Sequence, residues 1–255
     1  MSELTGKTAI ITGASRGIGA AAARHLASLG ANVVLAARSV EAIQEIADQI
    51  TQAGQSASAF ACDVADYGQV AALIAHAQDR FGSVDILINN AGLIEPIARL
   101  ADSDPAQWGR VADVNYKGVY HGLRAALPVM VQAGGGTVIN ISSGAATGAL
   151  EGWSHYCSSK AAVLSLTRCA DKEYRAHGIT VVGLSPGTVA TDMQVAIKAS
   201  GINPVSQLDP TDHIPADWVA KGIAFLCGPG AVQFAGSDFT LKTSHERALA
   251  GLPPL

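Results

Sequence analysis

Charge is scarce in this chain. Of its 255 residues only 15% are Asp, Glu, Lys or Arg, and 17 basic against 21 acidic side chains leave a net charge of -4. With no basic excess and no cluster of Lys and Arg, no face is suited to neutralising a phosphate backbone, which excludes nucleic acid as a partner. Cysteine is also sparse: Cys62, Cys157, Cys169 and Cys227 are scattered without a C-x-x-C pair. No disulfide framework is implied, and the start MSELTGK carries no apolar leader, so a reducing cytoplasm is the expected location. The seven histidines lack H-x-x-x-H or H-E-x-x-H spacing, and no metal site is expected. Long hydrophobic runs are missing as well. The most apolar windows are interrupted by Arg24 and His25, or by His121 and Arg124, short of the roughly 18 residues that a membrane span requires.

What the chain does have is aliphatic bulk. Hydrophobic residues make up 49%, a proportion typical of folded globular chains, and the length suits one large α/β domain or two small ones. Short β-branched runs recur at Thr8 to Thr12, Asn32 to Ala36, Ala57 to Ala61, Val84 to Ile88, Thr137 to Ile141, Ile179 to Leu184 and Ser237 to Leu241. Most are apolar without alternation, as in strands covered on both faces. Helical periodicity lies between them, for instance over Val40 to Ala53 and Gln69 to Phe81. The alternation predicts right-handed βαβ crossovers and a Rossmann-type, doubly wound, seven-stranded parallel sheet with helices on both faces. No Gly-, Ser- or Pro-rich linker divides the chain, so residues 1–255 are expected to form a single domain. Thr188 to Pro215, with Pro204, Pro210 and Pro215, reads as an irregular insertion of the kind that forms a substrate lid. Gly251 to Leu255 reads as a fraying tail.

The first expected strand runs into Gly13-Ala14-Ser15-Arg16-Gly17-Ile18-Gly19 and then the Ala-rich stretch Ala20 to Leu29. Strand, glycine turn and helix in that order suit a pyrophosphate: glycine lets the backbone approach, and the helix start presents unpaired N–H groups. A glycine turn that merely packs helix on strand is the alternative. An NAD site calls for an acidic residue about 20 positions beyond the glycines. That region reads Leu35-Ala36-Ala37-Arg38-Ser39, placing Arg38 19 residues after Gly19. Arg16 and Arg38 together can fork onto a 2′-phosphate that an Asp would repel, so NADP(H) is the expected cofactor.

Tyr156 and Lys160 stand four apart in an expected helix, Trp153 to Ala176, hence on one face with Cβ atoms about 5 to 6 Å apart. A free tyrosine titrates near 10, so proton exchange at neutral pH asks for a fall of about three units. An ammonium about 4 Å away at an effective dielectric near 20 supplies about that much. The expectation is that Lys160 lowers the tyrosine. Ser143 ends the fifth strand, where ligands bind in open α/β sheets, and its hydroxyl is placed to steady a carbonyl oxygen. His155 and Cys157 flank the tyrosine and should point elsewhere.

Taken together, Thr12-Gly13-x-x-x-Gly17-Ile18-Gly19, Asn89-Asn90-Ala91-Gly92, Asn115, Ser143, Tyr156-x-x-x-Lys160 and Pro186-Gly187-x-x-x-Thr191 resemble the short-chain dehydrogenase/reductase family over nearly the whole chain. The resemblance implies hydride transfer between a nicotinamide cofactor and a ketone, aldehyde or secondary alcohol. It makes Tyr156 the general acid/base, with Ser143 orienting the substrate oxygen. Lys160 binds the nicotinamide ribose, and Asn115 holds a water in the proton relay. It implies cofactor contacts from Gly13, Ser15, Arg16, Gly17, Ile18 and Gly19; from Arg38, Asp63 and Val64; from Asn90, Ala91 and Gly92; and from Pro186, Gly187, Val189 and Thr191. A homotetramer or homodimer also follows from the resemblance. A cofactor-sensing binding protein on the same fold is the rival, and would carry a broken Ser-Tyr-Lys set. The sequence departs from the family at Val182, where Asn is common, and at Phe234 to Phe239, where Val-Asp-Gly-Gly is usual near the end.

Overall fold

The computed structural model describes residues 4–255. All seven expected strands form: β1 (Thr8–Thr12), β2 (Asn32–Ala37), β3 (Ala57–Ala61), β4 (Ile86–Asn89), β5 (Gly136–Ile141), β6 (Ile179–Ser185) and β7 (Asp238–Thr240). They build one parallel sheet in the order β3-β2-β1-β4-β5-β6-β7. The order reverses between β1 and β4, and the crevice outside the strand C-termini at such a switch point is where ligands bind in doubly wound sheets.

Strand residues alternate between two cores. Ala9, Ile11, Val33 and Leu35 pack with helices α1 (Gly17–Ser28), α2 (Val40–Gln52) and α8 (Ala216–Leu226). Ile10, Val34 and Ala36 pack on the other face with α3 (Tyr67–Phe81), α5 (Gly118–Ala133) and α6 (Ser154–Tyr174). Both faces are thus apolar, which is why the strands read as runs without alternation. Helix limits follow local chemistry. Asp66 accepts from the Gln69 backbone N–H at 3.2 Å to start α3, and Gly82, at φ 83°, ends it.

Two expectations about irregular chain are corrected. The 188–215 segment contains a nine-residue helix, α7 (Asp192–Ser200), and two short 3₁₀ turns. It is closed at its base by the parallel bridge Val189↔Ile214. The last residues do not hang free either. After α9 (Ser244–Leu249), Leu252 is buried and donates its N–H to the Arg247 carbonyl at 2.8 Å. Among the described residues no helix is long and apolar enough to cross a membrane.

Candidate active site

The glycine turn is built from both sides of the switch point. A Cβ on Gly13 (φ +64°) would lie 2.8 Å from the Ala91 Cα, and one on Gly19 would lie 2.4 Å from the Gly13 carbonyl oxygen. Neither position tolerates a side chain. Asn90 braces the turn by donating its amide to the Thr12 and Gly13 carbonyls at 2.9 and 3.1 Å. The Thr12 hydroxyl accepts the backbone N–H groups of Asn90 and Ala91 at 3.0 and 3.1 Å. Helix α1 then begins with no acidic residue in its first turn and no side chain capping it. Its leading N–H groups are left for an anion, so the cradle fits a pyrophosphate. Ser15 and Ile18 line the same turn, and both are part-exposed.

Three consecutive residues where β5 ends meet the expected catalytic side chains or their neighbours. The Ile141 carbonyl accepts from Lys160 Nζ at 2.6 Å, Ser142 donates to Asp238 at 2.7 Å, and the Ser143 hydroxyl accepts the Ala145 N–H at 3.2 Å within interacting reach of Tyr156. Tyr156 and Lys160 are both buried on α6, and the ammonium sits 5.6 Å from the phenol ring centroid. Ile94, Ala145, Trp153 and Ile197 enclose the tyrosine in a third apolar cluster, with Trp153 edge-on at 5.5 Å.

The expected lowering of the tyrosine by the lysine is not what this geometry produces. Burial pushes the Tyr156 phenol up to about 12, the Ser143 hydroxyl opposing it only in part. Lys160 spends its ammonium on the Ile141 carbonyl, and burial brings it down to about 8. Desolvation, invisible in a spacing argument, outweighs the pair's attraction. His155 points away as expected, its Nε2 2.6 Å from the Ile94 carbonyl oxygen.

Asn115 is fully buried in a π-helical turn, Asp113–Lys117, between α4 (Pro105–Ala112) and α5. Its amide clamps Leu93: Oδ1 accepts the Leu93 N–H at 2.8 Å, and Nδ2 donates to the Leu93 carbonyl at 2.9 Å. The same Nδ2 reaches the Ser159 hydroxyl at 3.3 Å. Replacing Asn115 with Ala strands both Leu93 groups, each at about 1–3 kcal/mol. A fall of several kcal/mol in denaturant stability is the expected measurement.

The model for the short chain dehydrogenases matches residues 7–200. The chain belongs to the short-chain dehydrogenase family. It is 38% identical to an uncharacterized oxidoreductase of Staphylococcus aureus (strain MW2), over 83% of this chain and 89% of that one. It is 37% identical to the cis-4-hydroxycyclohexanecarboxylate dehydrogenase of Sinomonas cyclohexanicum, over 91% and 93%. A crystal structure described as a short-chain alcohol dehydrogenase from Sinorhizobium meliloti 1021 superposes with a TM-score of 0.82 at 31% identity, covering 93% and 95%. The chain is therefore an oxidoreductase of a family that uses nicotinamide cofactors.

In this short-chain dehydrogenase the other expected site residues fall along the same crevice, several with partners that the sequence did not reveal. Asp63, after β3, accepts from the Ala65 N–H at 3.0 Å and from Arg110 at 2.5 Å. Burial opposes its ionisation, yet these bonds, together with the charges of Arg110 and Arg38, hold its carboxyl below the usual range. Arg38 therefore lies within electrostatic reach of Asp63. Val64 is buried, and its carbonyl meets His121 Nδ1 at 2.8 Å. Gly92 adjoins Asn115, whose Oδ1 lies 3.6 Å from where a Cβ would stand. Pro186 and Gly187 follow β6, Val189 is buried at the base of the 188–215 segment, and the Thr191 methyl lies 3.2 Å from a Cβ built on Gly17. Arg16 is not free: it pairs with Asp192 of α7 at 2.9 Å. Sequence reading also missed a buried chain joining β4, β5 and α6. Asn89 donates to Asn140 at 2.9 Å, and Asn140 to Thr167 at 2.9 Å. The only signal was an asparagine at the end of two adjacent apolar strands.

Proposed function

We propose that this oxidoreductase moves a hydride between NADP(H) and a ketone, an aldehyde or the corresponding secondary alcohol, with Tyr156 as general acid/base. The observation that carries this reading is the convergence of Ser143, Tyr156 and Lys160 where β5 meets α6, beside the glycine turn and inside an apolar cluster. The cofactor, when bound, supplies the hydride chemistry. The chain's own residues do the rest. Ser143 and the Tyr156 hydroxyl bind one oxygen of the substrate, and Ile94, Trp153 and Ile197 exclude water from its carbon skeleton. A phenol held at about 12 keeps its proton at neutral pH, so Tyr156 stands ready to donate to a carbonyl oxygen. The protonated phenol suits the reductive step near pH 7, and the oxidative step should gain on raising the pH.

The choice of NADP(H) rests on Arg16 and Arg38, both exposed beside the cradle, and on the lack of a carboxylate at the end of β2. Asn115 contributes to a proton relay through its place in the π turn, since such turns recur at functional sites. The relatives named for a hydroxycyclohexanecarboxylate and for 3-oxoacyl-carrier-protein reduction suggest a test panel of cyclic hydroxy acids, cyclic ketones and 3-oxoacyl thioesters. Titrating NADPH and NADH against Trp153 fluorescence should show tighter binding of NADPH. Turnover should follow on at least one carbonyl of the panel. Absence of binding by either cofactor would sink the reading.

A further inference from the structure

One of the sequence's departures from its family, the Phe234 to Phe239 segment, places Asp238 in a gap left by a glycine on the neighbouring strand. Asp238 opens β7 beside Gly183 of β6, and a Cβ on Gly183 would lie 1.7 Å from Asp238 Oδ1. The missing side chain at 183 is the space that the carboxylate occupies. Asp238 Oδ2 accepts from Ser142 at 2.7 Å, and Oδ1 is buried without a partner. A carboxylate oxygen in that state is costly unless it serves something nearby. What lies nearby is the end of β5 that carries the proposed catalytic set: Ser142 sits between Ile141, whose carbonyl receives Lys160, and Ser143, whose hydroxyl acts against the rise of the Tyr156 phenol.

We propose that Asp238 is a positioning residue for the Ser143–Tyr156–Lys160 set, fixing the end of β5 through Ser142 and setting a negative charge within electrostatic reach of Lys160. This rests on the reading of Lys160 as a charged catalytic group. The charged groups facing Asp238 are Lys160 and Arg168, both from α6. Ser142 from β5 is neutral, and Gly183 from β6 adds no charge. Asp171 and Arg175 approach Gly236, two residues earlier, and are paired with each other. Burial raises the Asp238 carboxyl, while Ser142, Arg168 and Lys160 oppose that shift. In return Asp238 acts against the burial that lowers Lys160. The carboxylate thus preserves the ammonium at pH values where burial alone would strip it.

The test is NMR of ¹³C-lysine-labelled protein across pH 6–10, with the Lys160 Cε signal assigned by Lys160→Arg, alongside pH profiles of kcat/KM for reduction. In Asp238→Asn the Lys160 midpoint should drop by about one unit, a tenfold loss of charged form above it. The alkaline limb of kcat/KM should move with it. Ser142→Ala removes the hydrogen bond that anchors Asp238 to the end of β5, and kcat should fall severalfold. Asp238→Thr, less demanding of space, reports the same charge loss if the Asn variant folds poorly. A folded Asp238 variant with an unchanged Lys160 midpoint overturns the proposal. The NMR midpoint is read without turnover, so a failed substrate panel would count against the oxidoreductase reading and leave the role of Asp238 still decided.

Discussion

Tyr156→Phe should lower kcat for carbonyl reduction by about 10³-fold, within the range that a positioned general acid contributes, while cofactor affinity stays within about twofold of wild type. The phenyl ring keeps its packing against Trp153, Ile94 and Ile197; the loss is confined to the hydroxyl and its interaction with Ser143. Single-turnover rates paired with fluorescence titration separate the two effects. Wild-type rates would remove Tyr156 from the chemistry, and lost cofactor affinity would mean that the ring shapes the cleft instead. The pH dependence carries a second sign. Lys160, brought down to about 8, is charged below that pH, and Tyr156 keeps its proton to about 12. For reduction, kcat/KM should be level from pH 6 to 7.5 and fall above about 8 as the ammonium is lost. An alkaline limb beginning only near 10 would show that Lys160 titrates as an ordinary lysine.

The second large effect belongs to the cofactor. Arg38→Asp should shift the ratio of kcat/KM for NADPH over that for NADH by about 100-fold toward NADH. A hydrogen bond to a charged group contributes about 1.5–3 kcal/mol, or roughly 10- to 150-fold at 1.4 kcal/mol per decade. Solvent screening at this exposed position trims that gain, and repulsion of the 2′-phosphate by the new carboxylate adds to it. Asp63, already within reach of Arg38, reinforces the repulsion. An unchanged ratio would leave the preference resting elsewhere in the crevice.

The fold was legible because both faces of the sheet are buried. A run such as Thr8 to Thr12 has all five residues buried, and such runs announce themselves whatever their neighbours do. That Ser143, Tyr156 and Lys160 lie together was legible because they are tied to a strand end and to one helix face. What escaped had no local signature. The π turn at Asn115 inserts into a continuous helical pattern between α4 and α5, and the partner of its asparagine is the distant Leu93. Helix α7 was obscured by the prolines that follow it, which in fact mark two separate 3₁₀ turns. The tyrosine's shift was misjudged in sign, because spacing reports the nearby cation and says nothing of the water that burial removes. Asp238 was visible only as an odd residue near the end of the chain, since its meaning depends on an absent side chain 55 positions earlier, at Gly183.

Arg16 and Arg38 look interchangeable in the sequence and are not so as engineering handles. Arg16 reaches from the glycine turn to Asp192 at the head of α7, an exposed pair of the kind that contributes about 0–1 kcal/mol. The residue is therefore tied both to the glycine turn and to the 188–215 segment. A library that varies position 16 to change the coenzyme also removes that tie. Among the described residues Arg38 forms no ion pair with the 188–215 segment, so a change of coenzyme preference made from the end of β2 leaves the Arg16–Asp192 tie in place.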